Sequence, residues 1–197
     1  MIVLTSTQAP KSADPRRVIL AFGDSLTAGY GVPRGQGYPE QLQKKLDAKG
    51  YRYRVVNMGI SGDTTSGGLA RMKAALDTRP SIVILELGAN DGLRGLPVKQ
   101  IHANLEEMVM RFQKAGATVI LAGMTLPRNY GVSYVRPFEK AFEEIAAKYK
   151  LPFITFFLQG VAGTPKYTLE DFLHPNAAGY VLVTETVMRT LEPLLKK

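Results

Sequence analysis

The chain has 197 residues, of which 45% are hydrophobic and 21% charged, the proportions of an ordinary globular protein of one domain. It contains no cysteine, which excludes disulfides and thiolate chemistry, and no run approaches the roughly 20 apolar residues of a membrane-spanning helix. The net charge of +8 could attract nucleic acid or anionic lipid. The basic residues are scattered along predicted helices without a nucleic-acid-binding motif, so we predict no nucleic-acid partner.

Residues 1–16 form the first segment and combine a four-residue apolar start with polar residues and prolines. We predict a poorly ordered extension, because the segment lacks the charged start and the apolar core of an intact signal peptide. The compartment stays open: periplasmic or secreted if a signal peptide has been removed, cytoplasmic otherwise. Residues 17–197 are predicted to form a single domain.

Short apolar, β-branched runs alternate with segments of helical periodicity through the rest of the chain. The predicted strands are 18–22, 53–58, 81–88, 117–124 and 152–157. The predicted helices are about 37–49, 65–78, 101–113, 134–149 and 176–194. This alternation predicts a three-layer α/β/α fold of the flavodoxin-like type, with a five-stranded parallel sheet and helices on both faces.

Ligands of such sheets bind beyond the carboxyl ends of the strands, so the segments that follow the strands are where chemistry is expected. Those segments read "GDSL", "GISGDTTSGG", "GANDGLRG", "TLPRNYG" and, after an intervening stretch, "DFLHPN". If the fold is as predicted, all five lie on one rim of the molecule.

The chain has two histidines, so a general base has few candidates. His102 lies in a helical stretch and is predicted to be an exposed helix residue. His174 precedes Pro175, which keeps it out of a helical conformation at the mouth of the last helix. Asp171 can fold back to fix its tautomer and leave the other ring nitrogen for the hydroxyl of Ser25. The alternative is structural: Ser25 would cap a helix, and the other two residues would shape a turn.

Acyl transfer also needs donors for a developing oxyanion. Gly62 follows the second strand and Asn90 the third, while Ser25 supplies its own backbone N–H at a helix start. Each of these residues also has a structural interpretation as a cap or turn residue. Together they predict an oxyanion hole.

The four blocks "GDSL", "ISGDT", "GAND" and "DFLHPN" resemble those of the SGNH branch of the GDSL hydrolases, which is named for Ser, Gly, Asn and His. The resemblance is closer to the bacterial group of thioesterase I/protease I/lysophospholipase L1, also described as arylesterases. It runs from about residue 17 to the C-terminus. The chain departs from the usual blocks in having "GAND" for "GGND" and "DFLHPN" for "DGIHPN", and Phe172 is expected to alter the floor of the site.

The resemblance implies a serine hydrolase of carboxylic esters and thioesters with short to medium acyl chains. Aryl esters, acyl-CoA and lysophospholipids are among the implied substrates, and peripheral contact with lipid is left open. Neither cofactor nor metal is expected, and the oligomeric state is not indicated. The residues predicted to contact substrate are Asp24, Leu93, Leu96, Leu126, Pro127 and Tyr130.

Two other functions remain open at this point. One is a carbohydrate or small-molecule deacetylase of the same superfamily, against which the leucine-rich loops argue. The other is a non-catalytic α/β binding module, in which Ser25 and His174 are only caps. Glu86, in an otherwise apolar strand, is predicted to have a structural hydrogen-bonding role with an unnamed partner.

Overall fold

The computed structural model describes residues 14–197. The predicted extension 1–16 lies, apart from its last three residues, outside the described residues, so its disorder stays a prediction. Within the described range, no helix combines the length and the apolar character that crossing a membrane would require.

One sheet of five parallel strands forms the centre of the molecule, in the order β2-β1-β3-β4-β5. The strands are β1 Arg17–Gly23, β2 Tyr53–Gly59, β3 Ile82–Glu86, β4 Thr118–Ala122 and β5 Phe153–Ile154. Every residue of β3, and all of β1 after its first, is buried, because helices cover both faces. The predicted fold and strand order are confirmed.

Eight α-helices and two 3₁₀ turns surround this sheet in the described part of the chain. They are α1 Ser25–Ala28, α2 Tyr38–Ala48, α3 Thr65–Ala70, α4 Met72–Asp77, α5 Ala89–Leu93, α6 Val98–Lys114, α7 Val132–Lys148 and α8 Ala177–Leu191, with the 3₁₀ turns at Arg128–Tyr130 and Glu192–Leu194. Helix α2 packs against α8, and α6 packs against both α3 and α7. The apolar residues at helical spacing in the predicted helix 101–113 are fully buried, as that spacing requires: Ile101, Leu105, Met108, Val109 and Phe112.

The elements differ from the prediction mainly near the carboxyl ends of the strands. The predicted helix 65–78 is broken at Arg71, whose backbone is not helical and whose side chain turns inward to Asp63. Strand β5 has only two residues, because the chain then turns and Phe157 N–H donates to the carbonyl of Gly123. The helix start expected at Ser25 is confirmed, but α1 has only four residues. Helix α5 was not predicted, since five residues carry no helical period.

Strand β1 pairs with β2 on one side and with β3 on the other. The chain therefore reverses its direction of winding at β1, and parallel sheets leave a crevice at such a switch point. The segments that follow β1, β2 and β3 all begin at this crevice.

Candidate active site

Ser25 is the first residue of α1, at the turn directly after β1. The side chain of Asp24 caps this helix by accepting the Leu26 N–H at 3.0 Å, so the cap is the aspartate and not the serine. A Cβ on Gly23 would lie 2.5 Å from the Glu86 carbonyl oxygen, so only glycine allows so close a turn against β3. The hydroxyl of Ser25 is thereby left free for another partner.

That partner is His174. Its Nε2 lies 2.9 Å from Ser25 Oγ, and its Nδ1 lies 2.6 Å from Asp171 Oδ2. The second oxygen of Asp171 accepts the backbone N–H groups of Leu173 and His174, both at 2.9 Å. The structure therefore brings a hydroxyl, an imidazole and a carboxylate into one hydrogen-bonded line across 149 residues of sequence.

The environment of Asp171 favours its ionised form. Burial raises the pKa of this carboxyl, but the hydrogen bonds from the His174 ring and from two backbone N–H groups outweigh that effect and hold the pKa below its ordinary value. A carboxylate that stays ionised keeps a proton on Nδ1 of the imidazole. The Nε2 atom that faces Ser25 is then an acceptor.

The backbone N–H groups of Ser25 and Gly62, both at the crevice, have no acceptor among residues 14–197. Gly62 has a φ of +80°, a conformation that glycine adopts without strain, and its carbonyl accepts a hydrogen bond of 2.9 Å from the guanidinium of Arg94. The carbonyl of Gly62 is thus bonded to Arg94, while its N–H remains available. Free N–H groups beside a hydroxyl are what a tetrahedral oxyanion requires.

Asn90, the second residue of α5, carries the third donor. Its Nδ2 lies 3.0 Å from Asp24 Oδ2 and 3.0 Å from the carbonyl oxygen of Asp63. These two acceptors fix the position of the amide nitrogen in the wall of the crevice. The amide nitrogen of Asn90 is thus bonded to two acceptors.

An apolar cleft, open to solvent, includes Ser25, Asn90 and His174 in its lining. Its other lining residues are Asp24, Leu26, Ala89, Leu93, Met124, Thr125, Leu126, Pro127, Leu158 and Leu173. The lining thus combines a few polar groups with mainly aliphatic side chains. A site of this kind suits a carbonyl compound with an apolar substituent.

Four of the six predicted substrate contacts line this cleft, namely Asp24, Leu93, Leu126 and Pro127. Leu96 and Tyr130 do not. The hydroxyl of Tyr130 donates to the Leu93 carbonyl at 2.9 Å, so this side chain holds the loop rather than facing the cleft. Phe172, which was expected to alter the floor of the site, also lies outside the lining and is 52% exposed. Its neighbour Leu173 lines the cleft instead.

Glu86 has the structural role that was predicted for it, and its partners are now named. Its Oε2 accepts the hydroxyl of Thr27 at 2.8 Å and the backbone N–H of Asp24 at 3.3 Å. These bonds tie the end of β3 to both ends of the short helix that carries Ser25. The sequence could not show this, because the partners are about 60 residues apart.

Several residues of the site were missed from the sequence. The ring of Tyr30 lies against that of His174, with centroids 4.6 Å apart, and Asp63 and Arg94 hold the neighbouring loop. Met124, Leu158 and Leu173 complete the cleft. His102 lies near the N-terminal end of α6, half-buried rather than exposed as predicted, 3.9–4.0 Å from Glu106 and Glu144, and it takes no part in the site. Of the described residues, no three His, Asp or Glu side chains form a group that could hold a metal ion.

The fold and this arrangement define an SGNH-type hydrolase. A family model, the GDSL-like lipase/acylhydrolase family, matches residues 21–182, and the chain belongs to this family. The activity class follows from the same comparison and from the relatives below: the protein is a carboxylic ester hydrolase.

Two characterised relatives match almost the whole chain. Esterase TesA of Pseudomonas aeruginosa is 41% identical over 196 residues, which cover 99% of this chain and 94% of the relative. Thioesterase 1/protease 1/lysophospholipase L1 of Escherichia coli K12 is 35% identical over 178 residues, covering 90% and 84%. The chain thus falls among esterases and thioesterases.

A solved structure shows the same fold. The psychrotrophic esterase EstA from Pseudoalteromonas sp., inhibited by monoethylphosphonate, superposes with a TM-score of 0.86 at 36% identity, covering 90% of this chain and 98% of that one. Membership of this family decides against the non-catalytic binding module considered from the sequence.

Proposed function

We propose that the protein hydrolyses carboxylic esters and thioesters through an acyl-enzyme on Ser25. The observation that carries this proposal is the hydrogen-bonded line from Ser25 Oγ to His174 Nε2, at 2.9 Å, and from His174 Nδ1 to Asp171, at 2.6 Å. Residues 17–197 are proposed to form one hydrolase domain, consistent with a family match over 21–182.

In the first half of the reaction, Ser25 Oγ attacks the carbonyl carbon of the ester while His174 Nε2 takes the hydroxyl proton. Asp171 stabilises the imidazolium that forms. The negative charge on the carbonyl oxygen is held by the N–H groups of Ser25 and Gly62 and by the amide of Asn90, which exchanges one of its present acceptors for the oxyanion. His174 then gives its proton to the departing alcohol or thiol.

In the second half, water replaces the leaving group. His174 removes a proton from the water as it attacks the acyl carbon, and the collapse of the second tetrahedral intermediate returns that proton to Ser25. The reaction needs no redox step, and every proton moves through one imidazole.

The apolar cleft supports short to medium acyl chains as the preferred substituent. Leu93, Leu126 and Pro127 lie on one rim of it and Leu173 lies beside the imidazole, so an acyl chain bound there would leave water in favour of aliphatic side chains. The relative named as a thioesterase and lysophospholipase supports thioesters and lysophospholipids alongside simple esters, with peripheral contact at a lipid surface.

The nucleophile is tested by substitution and by covalent labelling. Ser25→Ala and His174→Ala are each expected to lower kcat on p-nitrophenyl butyrate by about 10⁴- to 10⁶-fold, the loss seen when a member of such a triad is removed. A fluorophosphonate is expected to label the wild-type chain once and Ser25→Ala not at all. Ser133→Ala, an exposed serine on α7, serves as the matched control. Turnover near that of the wild type in Ser25→Ala would refute the assignment.

The acyl site is tested by a series of p-nitrophenyl esters from acetate to dodecanoate. Leu126→Ala removes aliphatic surface from a side chain that is 5% exposed, so we expect the chain-length optimum to move and KM for the preferred esters to rise. Val132→Ala, an exposed aliphatic residue outside the cleft lining, is the control. An unchanged length profile in Leu126→Ala would remove this loop from the acyl site.

A further inference from the structure

Beneath the nucleophile, two carboxyl groups are buried side by side without a cation. Asp24 is 1% exposed and Glu86 is fully buried, at the adjoining ends of β1 and β3. Among residues 14–197, no lysine or arginine side chain donates to either carboxyl, and the charge of His174 opposes the rise in the pKa of Asp24. Two ionised carboxylates in such surroundings would be strongly unfavourable.

The hydrogen bonds show which carboxyl is the acceptor. Both oxygens of Asp24 accept hydrogen bonds, Oδ1 from Leu26 N–H and Oδ2 from the amide of Asn90. Neither oxygen of Asp24 is left without a donor, which is the pattern that favours a carboxylate. Of the two carboxyls, Asp24 therefore has the contacts that favour the ionised form.

Glu86 has the opposite pattern. Its Oε2 accepts from Thr27 and from the Asp24 N–H, but no donor among residues 14–197 reaches its Oε1, which is buried. A bare carboxylate oxygen without a donor is costly in such a place, whereas a carboxylic acid O–H there can itself donate. The neighbouring carboxylate is that of Asp24, whose backbone N–H donates to Glu86 Oε2 at 3.3 Å.

We propose that Glu86 carries a proton in the resting enzyme and donates it to Asp24, so that the pair holds one negative charge and positions the Asn90 amide. Glu86 is thus a positioning residue for the proposed oxyanion donor, to which it is linked through Asp24. This inference rests on the proposed function in one respect only, the role of Asn90.

The pKa values agree with this assignment. Burial raises the pKa of Glu86 well above its ordinary range, and the neighbouring charge of Asp24 adds to the effect. Burial also raises the pKa of Asp24, to about 6, although the hydrogen bonds from Leu26, Glu86 and Asn90 oppose the shift. The titratable and charged groups around the pair include Tyr38 and Tyr180 from the packed helices, His174 from the catalytic loop, and Arg71, whose guanidinium donates to the Gly23 carbonyl at 2.9 Å.

The single charge matters for catalysis because a second negative charge forms nearby. An oxyanion bound by Asn90 would lie one amide away from Asp24, and a doubly charged pair would oppose it. With the proton on Glu86, one charge remains to orient the amide and to favour the imidazolium of His174. Removing the proton donor should therefore affect kcat more than KM.

The protonation of Glu86 in the folded state is tested without any activity measurement, by urea unfolding of the wild type and Glu86→Gln from about pH 6.5 to 8.5. A Glu86 that is protonated in the folded state and ionised in the unfolded state makes the wild-type unfolding constant rise about tenfold per pH unit relative to Glu86→Gln. Glu143→Gln, at an exposed glutamate of α7, is the control: the ratio of the wild-type unfolding constant to that of this variant should not change with pH. A wild-type to Glu86→Gln ratio that changes less than about twofold over the whole range would overturn the proposal.

The positioning role is tested by kinetics on p-nitrophenyl butyrate. Glu86→Ala is expected to lower kcat by about tenfold or more with KM nearly constant, and Glu86→Gln, which keeps a neutral donor in place, to restore kcat to within about threefold of the wild type. If Glu86→Gln folds but loses as much kcat as Asp24→Asn, the positioning role is wrong. Asn90→Ala separates the two proposals: near-normal kcat in that variant would remove the oxyanion assignment and leave the unfolding result unaffected.

Discussion

Asp171 and Asp24 are both aspartates within one hydrogen bond of the reacting groups, yet their pKa values move in opposite directions. Asp171 lies in a surface loop, with a side chain 38% exposed, and three hydrogen-bond donors lower its pKa. Asp24 directly follows the carboxyl end of β1 and is 1% exposed, and burial raises its pKa to about 6. The number of donors and the depth of burial, rather than the residue type, decide which charge state each supplies.

The two carboxyls also differ in how the chain assembles them. Asp171 reaches His174 across three residues and needs only the local turn. Asp24 meets Glu86 across 62 residues and Asn90 across 66, so its environment exists only when β1 and β3 are in register. A local pair gives His174, the proposed base, its partner, and a non-local pair positions Asn90, the proposed oxyanion donor.

The largest expected effect comes from neutralising Asp171, the more exposed of the two aspartates. Asp171→Asn keeps the size of the side chain but not the charge that fixes the tautomer of His174, so kcat should fall by about 10³- to 10⁴-fold. Steady-state kinetics on p-nitrophenyl butyrate measure this, with Asp77→Asn, an exposed residue of α4, as the control. A loss below about tenfold would mean that Asp171 does not orient the imidazole.

The second expected effect is a pH dependence of the free energy of unfolding, caused by the buried Asp24. The folded pKa of Asp24 is about 6 against 3.8 for the free group, so the folded state binds more protons than the unfolded state between these values. Wild-type stability should therefore fall, relative to Asp24→Asn, as pH rises from about 4 to 6, by roughly 3 kcal/mol in total. Urea unfolding at several pH values measures this difference. A difference that grows in favour of the wild type with rising pH would show that Asp24 is stabilised as a carboxylate, as Asp171 is.

The smallest expected effect concerns the backbone beside Asp171. Phe172 has a φ of +57°, a left-handed conformation that is strained for a side chain with a Cβ, and its ring is 52% exposed. Phe172→Gly should stabilise the fold by roughly 0.5–1 kcal/mol. Phe172→Ala keeps the Cβ and should not. Thermal unfolding of the three proteins distinguishes them, and an equal gain from alanine and glycine would attribute the effect to the exposed ring instead.

Much of the fold could be predicted from the chain because each long element carries its own period. The buried strands β1 and β3 and the amphipathic α6 are local patterns, and the strand order followed from general rules of parallel sheets. The short helices α1 and α5 could not be predicted in this way. They are fixed by contacts with strand ends, as when Glu86 bonds both Asp24 and Thr27.

The sequence by itself determined which residue types stand after each strand, and therefore that a serine, a glycine, an asparagine and an Asp–His pair share one rim. Only the tertiary structure decided which groups face one another. It turned Tyr130 away from the cleft, placed Tyr30 against His174, and buried Asp24 against Glu86. The physical reason is that a residue's identity is local, whereas its burial and its hydrogen-bond partners depend on segments that are distant in the chain.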